Sequence, residues 1–121
     1  MARKIKKSNP ILINLIQDLK KKAYENNAPI WKDIAERLER PLKNWAEVNV
    51  GKLEKCVRDG EIALVPGKVL SGGNLNKGLT VAAWKFSRKA KDKIERVGGK
   101  CISIEELVRI NPKGSGVRIV G

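Results

Sequence analysis

The stretch of this sequence best suited to grip a ligand is GKVLSGGNLNKGL, residues 67–79, where Gly67, Gly72, Gly73 and Gly78 stand among Lys68 and Lys77. Backbone bare of side chains lets amides come close to a phosphate, and flanking lysines add an attraction that salt weakens. A nucleotide-hydrolysing loop demands more. Its glycines must make the amides converge, and Lys-Ser or Lys-Thr must follow the last of them directly. Here Asn74 follows Gly72-Gly73, Lys77 precedes Gly78, and no acidic pair stands nearby for magnesium. That spacing disfavours a nucleotide-dependent enzyme. Two compatible uses remain: a turn joining two strands, and a close-approach site for phosphate built from Gly72, Gly73, Lys68 and Lys77.

Other chemistry finds little material. The chain has no histidine, and most carboxylates fall on helical faces already shared with lysine or arginine, so a general base near neutral pH is missing. Cys56 and Cys101 are far apart, with no CxxC spacing and no histidine to complete a zinc site. Each is expected to be a small buried apolar residue, with one disulfide between them left open. No cofactor, metal or small-molecule substrate is expected.

Cations, by contrast, abound. Among 121 residues, 26 Lys and Arg face 13 Asp and Glu, for a net charge of +13. That excess calls for a polyanionic partner. It is spread along the chain, with seven cations against two acids in residues 1–25 and nine against four in 59–100. Such a distribution implies a folded body with a basic face, preceded by a short basic extension. The densest run, KFSRKAKDKIERVGGK, places Lys85, Arg88, Lys89 and Lys93 at and beyond a helix start, with Lys89, Lys93, Arg96 and Lys100 near one face. Only Asp92 and Glu95 are at hand to balance it, so phosphate contact is favoured over a merely solvated face.

The elements that must position these residues can be read locally. Asn9-Pro10 caps a helix carrying Ile11, Leu12, Leu15, Ile16, Leu19 and Ala23 at helical spacing. A second helix runs from Pro29 to Arg40, with Ile30, Trp31, Ile34, Ala35 and Leu38 on one side and Trp31 in the core. Pro41 stops it. WAEVNV alternates as a strand with Ala46, Val48 and Val50 on one face, and a short helix with Leu53, Cys56 and Val57 follows Gly51. IALVPGKVL reads as two short strands about a Pro66-Gly67 turn, and LTVAAWKF as another strand. Ser87 caps a helix through Ala90, Ile94 and Val97 that Gly98-Gly99 closes. KCIS is a strand, Ser103 with Glu106 forms a capping box for IEELVRI, and GVRIVG is a loose last strand. Strand-then-helix recurs three times, so the fold class is α/β with a small, irregular sheet behind two leading helices. The apolar run after MARKIKKSNP is broken by Asn14, Gln17 and Asp18, which argues against a signal or a membrane span and for a soluble, cytoplasmic protein. Residues 1–121 are read as one domain, with 1–8 its basic extension.

Three blocks in order, WAEVNVGKL, GKVLSGG and LTVAAWKFSRKAKDKIERVGGKC, resemble the eighteen-e family of archaeal and eukaryotic large-subunit ribosomal proteins, along residues 8–121. The resemblance implies the fold of the C-terminal part of bacterial-type large-subunit protein fifteen, an irregular stack of strand-strand-helix turns. It also implies a place on large-subunit ribosomal RNA beside neighbouring large-subunit proteins. The segment RPLKNWAEVNV is less basic than the family pattern: Arg40, Lys43 and Asn44 match an RNA-facing stretch in part, and Trp45 replaces a cation, where an indole can stack on a base.

The expected function is therefore that of a structural constituent of the large subunit, neutralising phosphates more than reading bases. Arg3, Lys4, Lys6 and Lys7 form an extension that orders on RNA, Arg40, Lys43, Lys68 and Lys77 line the body, and Lys85, Arg88, Lys89 and Lys93 track a backbone. The competing class is a free RNA or DNA chaperone.

Overall fold

The computed structural model describes residues 9–121. Helix α1 (Pro10–Glu25) starts as its capping residues require: Asn9 Oδ1 accepts from the amides of Ile11 and Leu12 at 2.9 and 3.4 Å. Helix α2 (Pro29–Leu38) packs against it, and Leu12, Leu15, Ile16 and Leu19 share one buried cluster with Trp31, Ile34, Ala35 and Leu38. Trp31 is wholly buried, and its indole N–H donates to Pro112 O at 2.7 Å. Ile11 departs from expectation. The buried stripe runs through 12, 15, 16 and 19, and Ile11, on its edge in the first turn, is 71% exposed.

A 3-10 turn (Leu42–Asn44) leads into β1 (Ala46–Asn49), α3 (Val50–Cys56), β2 (Ile62–Leu70), β3 (Thr80–Phe86), α4 (Arg88–Arg96), β4 (Lys100–Ser103), α5 (Ile104–Ile110) and β5 (Val117–Ile119). The five strands form one wholly parallel sheet. β2 lies at its centre with β3 along one edge. Along the other edge β2 pairs first with β5, over Ile62–Leu64, and then with β1, over Gly67–Leu70. β4 lies outside β3.

Alternation along the strands sends side chains to two cores. Leu64 and Ala82 join the cluster of α1, α2 and α5, while Ala63, Val65, Val69, Val81 and Ala83 join that of α3 and α4. The result is a three-layer α/β protein in which each recurring strand-then-helix unit turns at the C-terminal edge of the sheet. Ser87 Oγ accepts from the Ala90 amide and Ser103 Oγ from the Glu106 amide, so both serine caps form as read. No helix among the described residues is long and apolar enough to cross a membrane.

Other expectations need correction. IALVPGKVL is one continuous strand, with no turn at Pro66-Gly67. Its register against β3 shifts between Val65 and Lys68, so the amide that proline lacks falls where the ladder lapses. Gly67 is required for another reason: a Cβ there would overlap Ala46 O and come within 2.9 Å of Ala46 C on β1. Val50 is the first residue of α3 and not the last of the strand. The thiols are both free, but Cys56, in the last turn of α3, is exposed and Cys101 is only partly buried. The loose final strand is a paired member of the sheet.

Candidate nucleic-acid interface

Parallel neighbours are normally joined through a helix, because the chain must travel back the full length of a strand. β2 and β3 are joined by residues 71–79 alone. With Ile62 opposite Thr80, this crossover must return about 26 Å, eight strand steps, which leaves nine residues little slack. The glycine stretch is thus a taut strap. Leu75 and Leu79 pin it into the α3/α4 core.

Its backbone is held by specific partners. The Gly72 amide donates to Asn49 Oδ1 at 3.0 Å, and the Gly51 amide donates to Gly72 O at 3.0 Å. Gly73 has φ +81°, and a Cβ on it would meet Gly51 Cα at 2.8 Å, so strap and β1–α3 junction touch backbone to backbone. Lys93 Nζ donates to Ser71 O at 2.7 Å and Gly73 O at 2.9 Å. Lys77 Nζ donates to Glu54 O at 2.9 Å and Val57 O at 3.0 Å, capping the carbonyl end of α3. Of the residues expected to face phosphate, Lys77, Lys93 and the Gly72 amide therefore each have a duty inside the fold. Asn49, which fixes the strap, was missed; only its partner's position, far along the chain, identifies it.

The segment after α2 is anchored through Trp45. Its indole N–H donates to Arg40 O at 2.9 Å, and its ring meets Trp84 edge to face, with centroids 6.0 Å apart and planes at 89°. This closes residues 40–45 into a loop that leaves Arg40, Lys43 and Asn44 exposed. The indole ties this loop to the sheet through Arg40 O and the Trp84 ring.

Across the middle of the sheet, Glu47, Lys68 and Lys85 are register partners on β1, β2 and β3, all exposed. Lys68 and Lys85 are a like-charge cross-strand pair, an arrangement that costs stability in the isolated protein. Lys85 leads off the end of β3 into Arg88 and Lys89, both exposed in a first turn of α4 that holds no acidic residue. Positive side chains at the positive end of a helix are again electrostatically unfavourable, until an anion arrives. Lys43, Lys68, Lys85, Arg88 and Lys89 have no ion pair among the described residues, where the bridges are Lys20–Glu39, Lys22–Glu25, Arg37–Asp33 and Arg118–Glu61. The expected positions Arg3, Lys4, Lys6 and Lys7 lie outside the described residues.

What these features define is a strongly basic three-layer α/β protein with a built strap and a set of exposed cations outside any ion pair. A family model that groups the ribosomal proteins 50S-L15 and 50S-L18e with a 60S member matches residues 30–102. Large ribosomal subunit protein eL18 of Methanococcus maripaludis is 50% identical over 118 residues, 98% of each chain. The protein of the same name from Methanopyrus kandleri is 54% identical over 93% of each chain. That of Archaeoglobus fulgidus is 51% identical over 96% of this chain and 99% of its own. The chain belongs to this family of ribosomal proteins.

Proposed function

We propose that the protein is a structural constituent of the large ribosomal subunit that holds folded large-subunit ribosomal RNA by neutralising its phosphates. The observation that carries this reading is the set Lys68, Lys85, Arg88 and Lys89, none of them in an ion pair: Lys68 and Lys85 are like-charged cross-strand neighbours, and Arg88 and Lys89 open α4 with no acidic residue in its first turn. A phosphate backbone turns both penalties into attraction. Arg40, Lys43 and Asn44 extend the same interface, and Arg3, Lys4, Lys6 and Lys7 add an arm that orders on RNA. The carbonyl-bound Lys77 and Lys93 shape the strap, with Gly72 and Gly73, so that it approaches RNA as a rigid surface. Its partners are large-subunit ribosomal RNA and adjoining large-subunit proteins, in the cytoplasm.

Gradient sedimentation of a lysate tests this. A resident component co-migrates with large subunits through a high-salt wash, and replacing Lys68, Lys85, Arg88 and Lys89 together by glutamate sharply lowers that incorporation. Release of the wild-type protein to the top of the gradient would instead mark a free RNA or DNA chaperone.

A further inference from the structure

A groove of about 210 Å³ lies between the strap and the C-terminal half of α4, lined by Asn74, Leu75, Asn76, Lys93, Arg96 and Val97. Most of its polar side chains are unspent. Asn74, Asn76 and Arg96 are exposed, and none of their side chains has a hydrogen-bond partner among the described residues. The Asn76 amide donates to Glu54 Oε1 at 3.3 Å, which fixes the backbone there. Lys93 spends two of its three N–H donors on Ser71 O and Gly73 O, which holds the strap in place and leaves one donor free. The groove sits on the taut crossover, so its shape exists before any ligand binds.

Resting on the ribosomal RNA reading, we propose that this groove is a subsite for one unpaired ribonucleotide of the bound RNA. Arg96 and the remaining Lys93 donor suit its phosphate, since both are cationic and donor-only. A phosphate uses only the N–H donors of a carboxamide, whereas two carboxamides present donors and acceptors together. Those are the groups that pair with the edge of a base, and single-stranded, splayed bases are the ones proteins read in RNA. Buried Leu75 and half-buried Val97 supply apolar surface against which the base lies. The occupant is therefore a looped-out or single-stranded nucleotide, and a duplex segment contacts only the cations outside the groove.

The test uses the full chain and large-subunit ribosomal RNA, with affinity measured against salt and base reactivity mapped by chemical probing. The double variant Asn74→Ala, Asn76→Ala is expected to bind about tenfold more weakly with an unchanged salt slope, and to expose one unpaired base that the wild type protects. Arg96→Gln is expected to weaken binding and flatten the slope by about one phosphate contact. Thermal midpoints equal to wild type show that these exposed substitutions leave the fold intact. The inference is overturned if the double variant keeps wild-type affinity and protection while Lys68 and Lys85 variants still lose binding, a result that spares the ribosomal reading. It is overturned together with that reading if the wild type itself shows no salt-dependent affinity.

Discussion

Gly67→Ala is expected to be among the most damaging single-methyl additions the sheet can receive. Gly67 faces Ala46 in the β1–β2 register, and a Cβ placed there overlaps Ala46 O and stands 2.9 and 3.0 Å from Ala46 C and N, where ordinary contacts are 3.4–4 Å. Every obstacle is backbone, so no rotamer change relieves it, and clearing Ala46 O requires β1 to move by about an ångström. Overpacking of this kind costs about 1–3 kcal/mol, and each ladder bond stretched as the strands part adds about 1 kcal/mol. The expected loss is therefore about 3 kcal/mol, a fall in Tm of about 10 °C for a chain of this size. Gly60→Ala is the matched control. Its φ of +86° carries the left-handed penalty of about 1–2 kcal/mol, but nothing lies within 4 Å of the added methyl. Urea denaturation of both variants checks the argument. If Gly67→Ala unfolds within about 1 kcal/mol of wild type, or no earlier than Gly60→Ala, the close approach of β1 is not what demands glycine here.

Lys93→Met removes both bonds to the strap, and hydrogen exchange should show faster exchange at residues 71–74 with a stability loss of about 1–3 kcal/mol; unchanged protection would mean the strap is held without it. Burial, reinforced by Glu95, pushes the Cys101 thiol up to about 11, so iodoacetamide at mildly alkaline pH should label exposed Cys56 well before Cys101. The Glu61 carboxyl is held below its usual 4.5 by the Arg58 amide and by Arg118. Its contribution to stability is present above that value and is lost as pH falls through the lower folded one. Acid titration of Tm should therefore fall more steeply for wild type than for Glu61→Gln.

Local features were legible before the fold was known. The caps at Asn9, Ser87 and Ser103 depend on residues within one turn, and the stripe of α1 depends only on helical period, so each emerged in place. What was misread depends on distant neighbours. Pro66-Gly67 carries the signature of a turn, and only the approach of Ala46 from β1 shows why glycine stands within a strand. Val50 continues the strand's alternation, yet its chain has already entered α3. The internal contacts of Lys77 and Lys93 were equally hidden, because their carbonyl partners are some twenty residues away in the chain. So was the engagement of Trp45 with Trp84, a tertiary contact. Lys68, Lys85, Arg88 and Lys89 are each legible as cations, but the pairing of Lys68 with Lys85 comes from the parallel register. Arg96 was seen on the α4 face at three-residue spacing from Lys93, while Asn74 and Asn76 gave no signal until the strap was placed beside that helix.

The central claim is that four particular cations meet phosphates. Its most direct test is the slope of log affinity for large-subunit ribosomal RNA against log salt, for wild type and for the variant with Lys68, Lys85, Arg88 and Lys89 neutralised to glutamine or methionine. Each lost contact should flatten the slope by about 0.7–0.9, so the four together should reduce it by about 3. A variant that binds with the wild-type slope would contradict the account.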